Sequence, residues 1–128
     1  MQQCFYDAVS WVSKQTGFCY RTVYIYNENS LLHSHDFYEI FLTLSDNLIH
    51  NINGKKDSLK RGTLVFIRKE DKHCYEHTFN ENVSFINISF TEDILLELFH
   101  YLSDGFASEK LLLPQHPPSI ILNEADIR

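Results

Sequence analysis

From about residue 18 to residue 90 the chain runs through segments rich in Val, Ile, Phe, Tyr and Thr, cut at short intervals by turn-forming clusters. These clusters are Asn27-Glu28-Asn29-Ser30, Ser45-Asp46-Asn47 and Asn80-Glu81-Asn82. Branched and aromatic side chains suit a pleated, half-buried surface, whereas Asn, Asp and Ser favour turns. Short strands at this spacing predict a mainly β protein, a sandwich or small barrel. Asn53-Gly54 lies between two such runs and supplies the positive φ angles of a tight hairpin.

Helical spacing flanks this β region. Phe5, Ala8, Val9 and Val12 predict a short amphipathic helix near the start. Thr91-Glu92-Asp93 predicts a second, with Thr91 as N-cap and Ile94, Leu95, Leu98, Phe99 and Leu102 on the face that packs against the barrel. Leu111-Leu112-Leu113 and Ser119-Ile120-Ile121-Leu122 read as short extended pieces, and Asn123-Glu124-Ala125-Asp126 reads as another capped helix start.

A chain of 128 residues can bury roughly two-thirds of its unfolded surface, so neither disulfides nor a metal is needed merely to fold it. Cys4, Cys19 and Cys74 form neither an even set nor a Cys-x-x-Cys pair, which predicts reduced thiols. No run approaches the ~20 apolar residues of a membrane span, and no signal-peptide layout opens the chain, so a cytoplasmic location with no membrane partner is expected. With 17 acidic and 11 basic residues and a net charge of −6, nothing here neutralises a row of phosphates, and this segment should not bind DNA by itself. Seven histidines and 14% aromatic residues are the unusual part of the composition and favour a binding cavity.

Those histidines are ordered. His33, His35 and Glu39 share parity, as do His73, Tyr75 and His77, so on strands each set faces one side. A straight strand would separate the Cα atoms of His33 and Glu39 by roughly 20 Å, so the chain must bend near Asp36-Phe37-Tyr38 if both are to meet one ion. Imidazole nitrogens with a carboxylate oxygen suit zinc, iron, manganese, nickel or copper better than calcium or magnesium. An isolated His-x-His on a strand is more often structural than metal-binding. Cys74, of opposite parity to His73, is expected to face away from any pocket.

His33-Ser34-His35-Asp36-Phe37-Tyr38-Glu39-Ile40 contains H-x-H-x3-E, and Gly62 is followed eleven positions later by His73. Together these resemble the two cupin motifs. The resemblance implies a small double-stranded β-helix barrel, or jelly roll, with a packed C-terminal helix. It nominates His33, His35, Glu39 and His73 as ligands of a divalent transition metal (zinc, nickel, iron or manganese). The sequence departs from the cupin pattern at Asp46, Arg68 and Glu70, where the motifs carry glycine, proline and glycine, and at His77, where they end in asparagine.

The block from His33 to Phe41, then Asn53-Gly54-Lys55, then Leu59-Lys60-Arg61-Gly62-Thr63-Leu64-Val65-Phe66-Ile67, is similar to the effector domain of AraC/XylS-type transcription regulators over roughly residues 30 to 104. That resemblance implies an effector-binding domain over residues 1–122. Residues 123–128 would begin a linking or dimerisation helix, in a homodimer whose helix-turn-helix DNA-binding domain lies outside this chain. The implied partner is a small molecule, with a carbohydrate the first choice. Tyr24, Tyr26, Tyr38 and Tyr75 would stack on a sugar's C–H face, with Phe41, His50 and His77 as further candidate effector contacts; for each tyrosine, packing in a thin barrel wall is an equal alternative. A small cupin metalloenzyme, a dioxygenase or isomerase, uses the same four ligands, and a stand-alone dimeric binding module is a third reading.

Overall fold

A computed structural model describes residues 3–6, 18–25, 32–77, 83–102 and 109–123, with the side chains of residues 3–6, 25 and 77 outside that description. In chain order the strands are β1 (Gln3–Tyr6), β2 (Phe18–Ile25), β3 (Leu32–His35), β4 (Tyr38–Thr43) and β5 (Leu48–Ile52). Then come β6 (Lys55–Leu59), β7 (Thr63–Ile67), β8 (His73–His77), β9 (Val83–Phe90), helix α1 (Glu92–Tyr101), the single turn α2 (Glu109–Leu112) and β10 (Ser119–Ile121). They form two five-stranded sheets, ordered β1-β3-β8-β5-β6 and β10-β7-β4-β9-β2. Between the sheets lies one apolar core, to which the first contributes Leu48, Ile52 and Tyr75 and the second Phe41, Val65, Ile67, Val83 and Phe85.

Alternation decides which side chains enter that core. Along β9 the burial pattern places Val83, Phe85, Asn87 and Ser89 inside, while Ile88 is exposed on the opposite face. The Asn53-Gly54 turn forms as expected, with φ of +49° and +84°, and joins β5 to β6 in antiparallel register. At the Asp46 departure the turn is made without glycine. Asn47 takes the left-handed conformation at φ +68°, and the Asp46 carboxylate accepts a hydrogen bond from Arg61 N at 2.8 Å.

Helix α1 begins where Thr91 caps it, its side chain accepting from Ile94 N, with Glu92 and Asp93 in the first turn. The helix covers the outer face of the second sheet, packing Leu95, Ile94 and Phe99 on Tyr38, Ile40, Phe66 and Phe90. Leu98 and Leu102, expected on the same face, are 46% and 36% exposed, because the helix seats only one narrow stripe, Ile94, Leu95 and Phe99, on the sheet.

One local expectation is corrected, and another falls mostly outside the described residues. Gln3–Tyr6 is a strand pairing parallel with Leu32–His35, so Phe5 is extended; Ala8, Val9 and Val12 of the expected N-terminal helix lie outside the described residues. Residues 109–112 form a helical turn, where the leucine run read as extended; three adjacent leucines carry no periodicity that separates the two states. The extended reading of 119–122 matches β10, which pairs antiparallel with β7. The helix start read at 123–126 lies almost wholly beyond the described residues.

Arg68 organises the last part of the fold. Only 3% exposed, it pairs with buried Asp71 at 2.7 Å and donates to the carbonyls of Leu111 at 2.7 Å and Pro114 at 2.6 Å. Asn53 adds a second tie, donating to Asp71 Oδ1 at 2.9 Å and to Gln115 O at 3.1 Å. His116 is partly exposed and contacts Asp57 at 2.6 Å. The stretch from Leu111 to His116 is thereby strapped across one end of the barrel.

Candidate functional site

The bend demanded by the ligand spacing is present at Asp36-Phe37. There the chain leaves β3 in one sheet and enters β4 in the other, so His33, His35 and Glu39 face the same interior from opposite walls. His33 stands opposite His73 in the β3–β8 pairing. All four side chains are buried: His33 at 7%, His35 at 1%, Glu39 at 6% and His73 at 0% exposure. One donor atom each from His33, Glu39 and His73 lies within 4.8 Å of the others.

His35 occupies a different position from the one its motif implies. Its Nδ1 is 2.6 Å from Phe37 O and its Nε2 is 2.5 Å from Glu39 Oε1. Both of its ring nitrogens thus face an oxygen atom at hydrogen-bond distance. In this arrangement His35 orients Glu39, and three donors converge where four were expected.

The carboxylate is held from several sides. Burial alone would raise the Glu39 pKa, but the contacts and charge of His35 and His73 hold it well below the usual carboxylate range. On its other side Asn87 Nδ2 donates to Glu39 Oε2, and Ser89 Oγ donates to Asn87 Oδ1 at 2.9 Å. The sequence reading missed Asn87 and Ser89. Their signal was the alternation Ile86-Asn87-Ile88-Ser89-Phe90, which puts two polar residues on the face opposite three apolar ones.

His73 is where the site is electrostatically incomplete. Its Nδ1 shares a hydrogen bond of 2.9 Å with His50 Nε2. Its Nε2, fully buried, has no hydrogen-bond partner and lies 3.3 Å from Glu39 Oε1. Burial, reinforced by the charge of His73, pushes the His50 pKa well below the ordinary histidine range, so His50 is neutral at pH 7. In its neutral form, in which its charge no longer acts on Glu39 or His50, a His73 that donates from Nδ1 points its Nε2 lone pair at an anionic oxygen. A divalent cation shared by the two would turn that repulsion into coordination, so the residues present fit a metal of the nitrogen- and oxygen-binding class.

The other candidates divide by face. Phe41, His50 and Tyr75 are interior and pack on one another and on Phe85, with ring centroids 5.0 Å apart for Phe41–His50, 5.4 Å for His50–Tyr75 and 4.4 Å for Tyr75–Phe85. Burial and the Glu39 charge raise the Tyr75 pKa well above its usual value, which keeps the phenol neutral. Tyr38 points the other way: adjacent to Glu39 and of opposite parity, it is buried beneath α1. Tyr24 is 57% exposed, since its β2 parity places it outside while Val23 packs on the core. Neither tyrosine joins the interior group. Tyr26 lies outside the described residues, and His77 is described only as the last residue of β8, in register with Leu48.

Cys74 faces away from the interior as its parity predicts, receiving a contact from Asn51 Nδ2 at 3.5 Å on the reverse side of the sheet. Burial raises its thiol pKa, so it is not an available thiolate. Cys74→Ser is expected to retain any metal affinity within about twofold, a difference of ~0.4 kcal/mol, by calorimetric titration with nickel. A larger loss would show that the phase of β8 differs from the one described.

Comparison with known proteins bears on the family and the fold. The AraC-like ligand binding domain family matches residues 15–120. The HTH-type transcriptional activator RhaS of Salmonella arizonae is 36% identical over 83 residues, covering 65% of this chain and 27% of that protein. The chain thus spans about a quarter of the length of the curated relatives it matches. Among solved structures, ToxT from Vibrio cholerae O395, bound to (E)-4-(8-methylnaphthalen-1-yl)but-3-enoic acid, superposes with a TM-score of 0.68 at 10% identity, over 88% of this chain and 45% of its own. A cupin protein (BF4112) from Bacteroides fragilis gives a TM-score of 0.56 at 22% identity, over 60% and 68% of the two chains. The fold is a cupin barrel.

Proposed function

We propose a function on one premise: this chain belongs to the AraC-like ligand binding domain family. Within a DNA-binding transcription regulator it is the sensing part, and it takes a small-molecule effector. The observation that carries this reading is the enclosed group of His33, Glu39 and His73, with a buried, unsatisfied nitrogen, inside a barrel of that family. The rest of the regulator supplies the helix-turn-helix contacts to DNA and the dimer; the relatives named as HTH-type transcriptional activators support the DNA-binding part of this reading.

For the effector we propose a carbohydrate. The sequence blocks are similar to those of a chitobiose-operon regulator, and aromatic and hydroxyl-bonding side chains are abundant. The metal proposed at His33, Glu39 and His73, held in place through His35, Asn87 and His50, would supply a fixed positive charge that orders the site. Switching requires that the effector bind two states of the regulator unequally, since a ligand shifts an equilibrium only by its differential affinity. A thermal-shift screen against mono- and disaccharides, with and without chelator, tests both parts. One sugar should raise Tm, because binding to the native state adds stability. No shift with any sugar would remove the carbohydrate assignment.

The same donor set favours a second reading, a cupin metalloenzyme. Turnover of diols or sugars with oxygen, abolished by His73→Ala, would establish it in place of the first.

A further inference from the structure

The turn between β7 and β8 meets the interior group at both of its ends. At one end Ile67 stands opposite Glu39 in the β4–β7 register, and at the other His73 opens β8. The shape of Arg68 to Lys72 therefore bears on how the Glu39 and His73 side chains sit relative to each other. That turn is clamped on itself. Arg68 N donates to Asp71 Oδ2 at 2.8 Å, Asp71 N donates to Arg68 O at 3.1 Å, and Arg68 Nε donates to the same carboxylate at 2.7 Å. A group of donors that is already held in place binds an ion more tightly than one that must be ordered first.

The same two side chains hold the strap. Arg68 serves Leu111 O and Pro114 O, while Asp71 accepts from Asn53 Nδ2, which also donates to Gln115 O. Apolar attachment is slight by comparison. Leu112 packs at the margin of the cluster beneath α1, but α2 buries none of its residues and Leu113 is 76% exposed. A segment tied by polar contacts over so little apolar surface opens locally at a lower free energy than the sheets do. The strap is thus an element with two states, fastened and open, and its fastener is the turn that leads into His73.

We propose that the Arg68–Asp71 clamp couples the barrel interior to the strap: filling the group at His33, Glu39 and His73 fastens the strap, and releasing the strap weakens that group. The inference rests on the metal reading above and adds to it a route by which occupancy of the interior is felt at the surface. Coupling between two sites is reciprocal, so one factor describes both directions. The strap runs into β10 and on to residue 123, where the family resemblance implies a linking helix.

Amide hydrogen exchange of the ¹⁵N-labelled 128-residue chain, with and without saturating zinc, tests the first direction. Leu113 N, which donates to Glu109 O, and Leu122 N, which donates to Gly62 O, report opening of the strap and of β10 behind it. Zinc should slow both at least about fivefold more than it slows Asn47 N, which donates to Leu59 O in the β5–β6 hairpin; fivefold is the lower end of ordinary coupling between sites. Calorimetric titration with zinc tests the other direction in two variants. Arg68→Lys keeps a cation beside Asp71 but cannot reach both carbonyls, and Leu112→Asp loosens the strap from its own side. Each should lose zinc affinity by a factor matching the slowing of exchange, with the amide spectrum reporting that the fold is kept; if Arg68→Lys does not fold, Leu112→Asp and the exchange ratio decide. Zinc binding that leaves strap exchange unchanged, or Leu112→Asp binding within about twofold of the parent, would overturn the coupling and leave the metal reading standing. No binding of zinc by the parent chain would overturn both.

Discussion

Alanine at position 68 is expected to cost the chain about 3–5 kcal/mol of unfolding free energy, the range for breaking one partner out of a buried ion pair. The arginine is almost wholly enclosed, and its loss leaves the Asp71 carboxylate, itself 2% exposed, without its main counter-charge. It also strips the donors from Leu111 O and Pro114 O, each an added desolvation penalty. Lysine should rescue only part of the loss, because one ammonium cannot reproduce a planar fork reaching a carboxylate and two carbonyls at once. Urea denaturation of Arg68→Ala, Asp71→Asn and the double variant measures the coupling. A loss below about 1 kcal/mol in Arg68→Ala, within the range of an exposed pair, would mean that β10 pairing alone holds the strap.

The second large effect concerns the histidine group. Nickel or zinc at a hundredfold excess over Kd should stabilise the chain by about 2.7 kcal/mol, and His73→Ala or Glu39→Gln should abolish that gain. His35→Ala should weaken the ion only about 10- to 100-fold, as expected for a residue that orients a ligand without being one. Calorimetric titration separates the cases. If His35→Ala were as damaging as His73→Ala, His35 would be a fourth ligand and its contact with Glu39 a feature of the metal-free state. If neither metal stabilised the chain, the unsatisfied His73 nitrogen would need another partner, and the metal proposal would fall.

Much of this was legible in the chain because strands obey a period of two. Parity alone grouped His33 with His35 and His73 with Tyr75, turned Cys74 outward, and required the bend that the structure places at Asp36-Phe37. The same period turns Tyr38, next to Glu39, onto the opposite face, beneath α1. Tyr24 was less accessible to such reasoning, since β2 carries no marker residue that ties its phase to the interior. The role of His35 depended on rotamers and acceptors that a motif does not encode. Arg68 could be seen only as a departure from a proline, because the carbonyls it serves lie 43 and 46 positions further along the chain. Long-range satisfaction of a buried cation leaves no local periodic trace.

Asn53 carries a consequence of its own. Its backbone adopts φ +49°, its Oδ1 accepts from Lys72 N at 2.9 Å, and its Nδ2 serves Asp71 and Gln115 together. Glycine would meet the dihedral and forfeit the amide; aspartate would meet the acceptor and set two carboxylates against each other. A saturation library at this codon should therefore return little besides the parental residue, a degree of intolerance ordinarily associated with a catalytic position yet arising here at the tip of a hairpin.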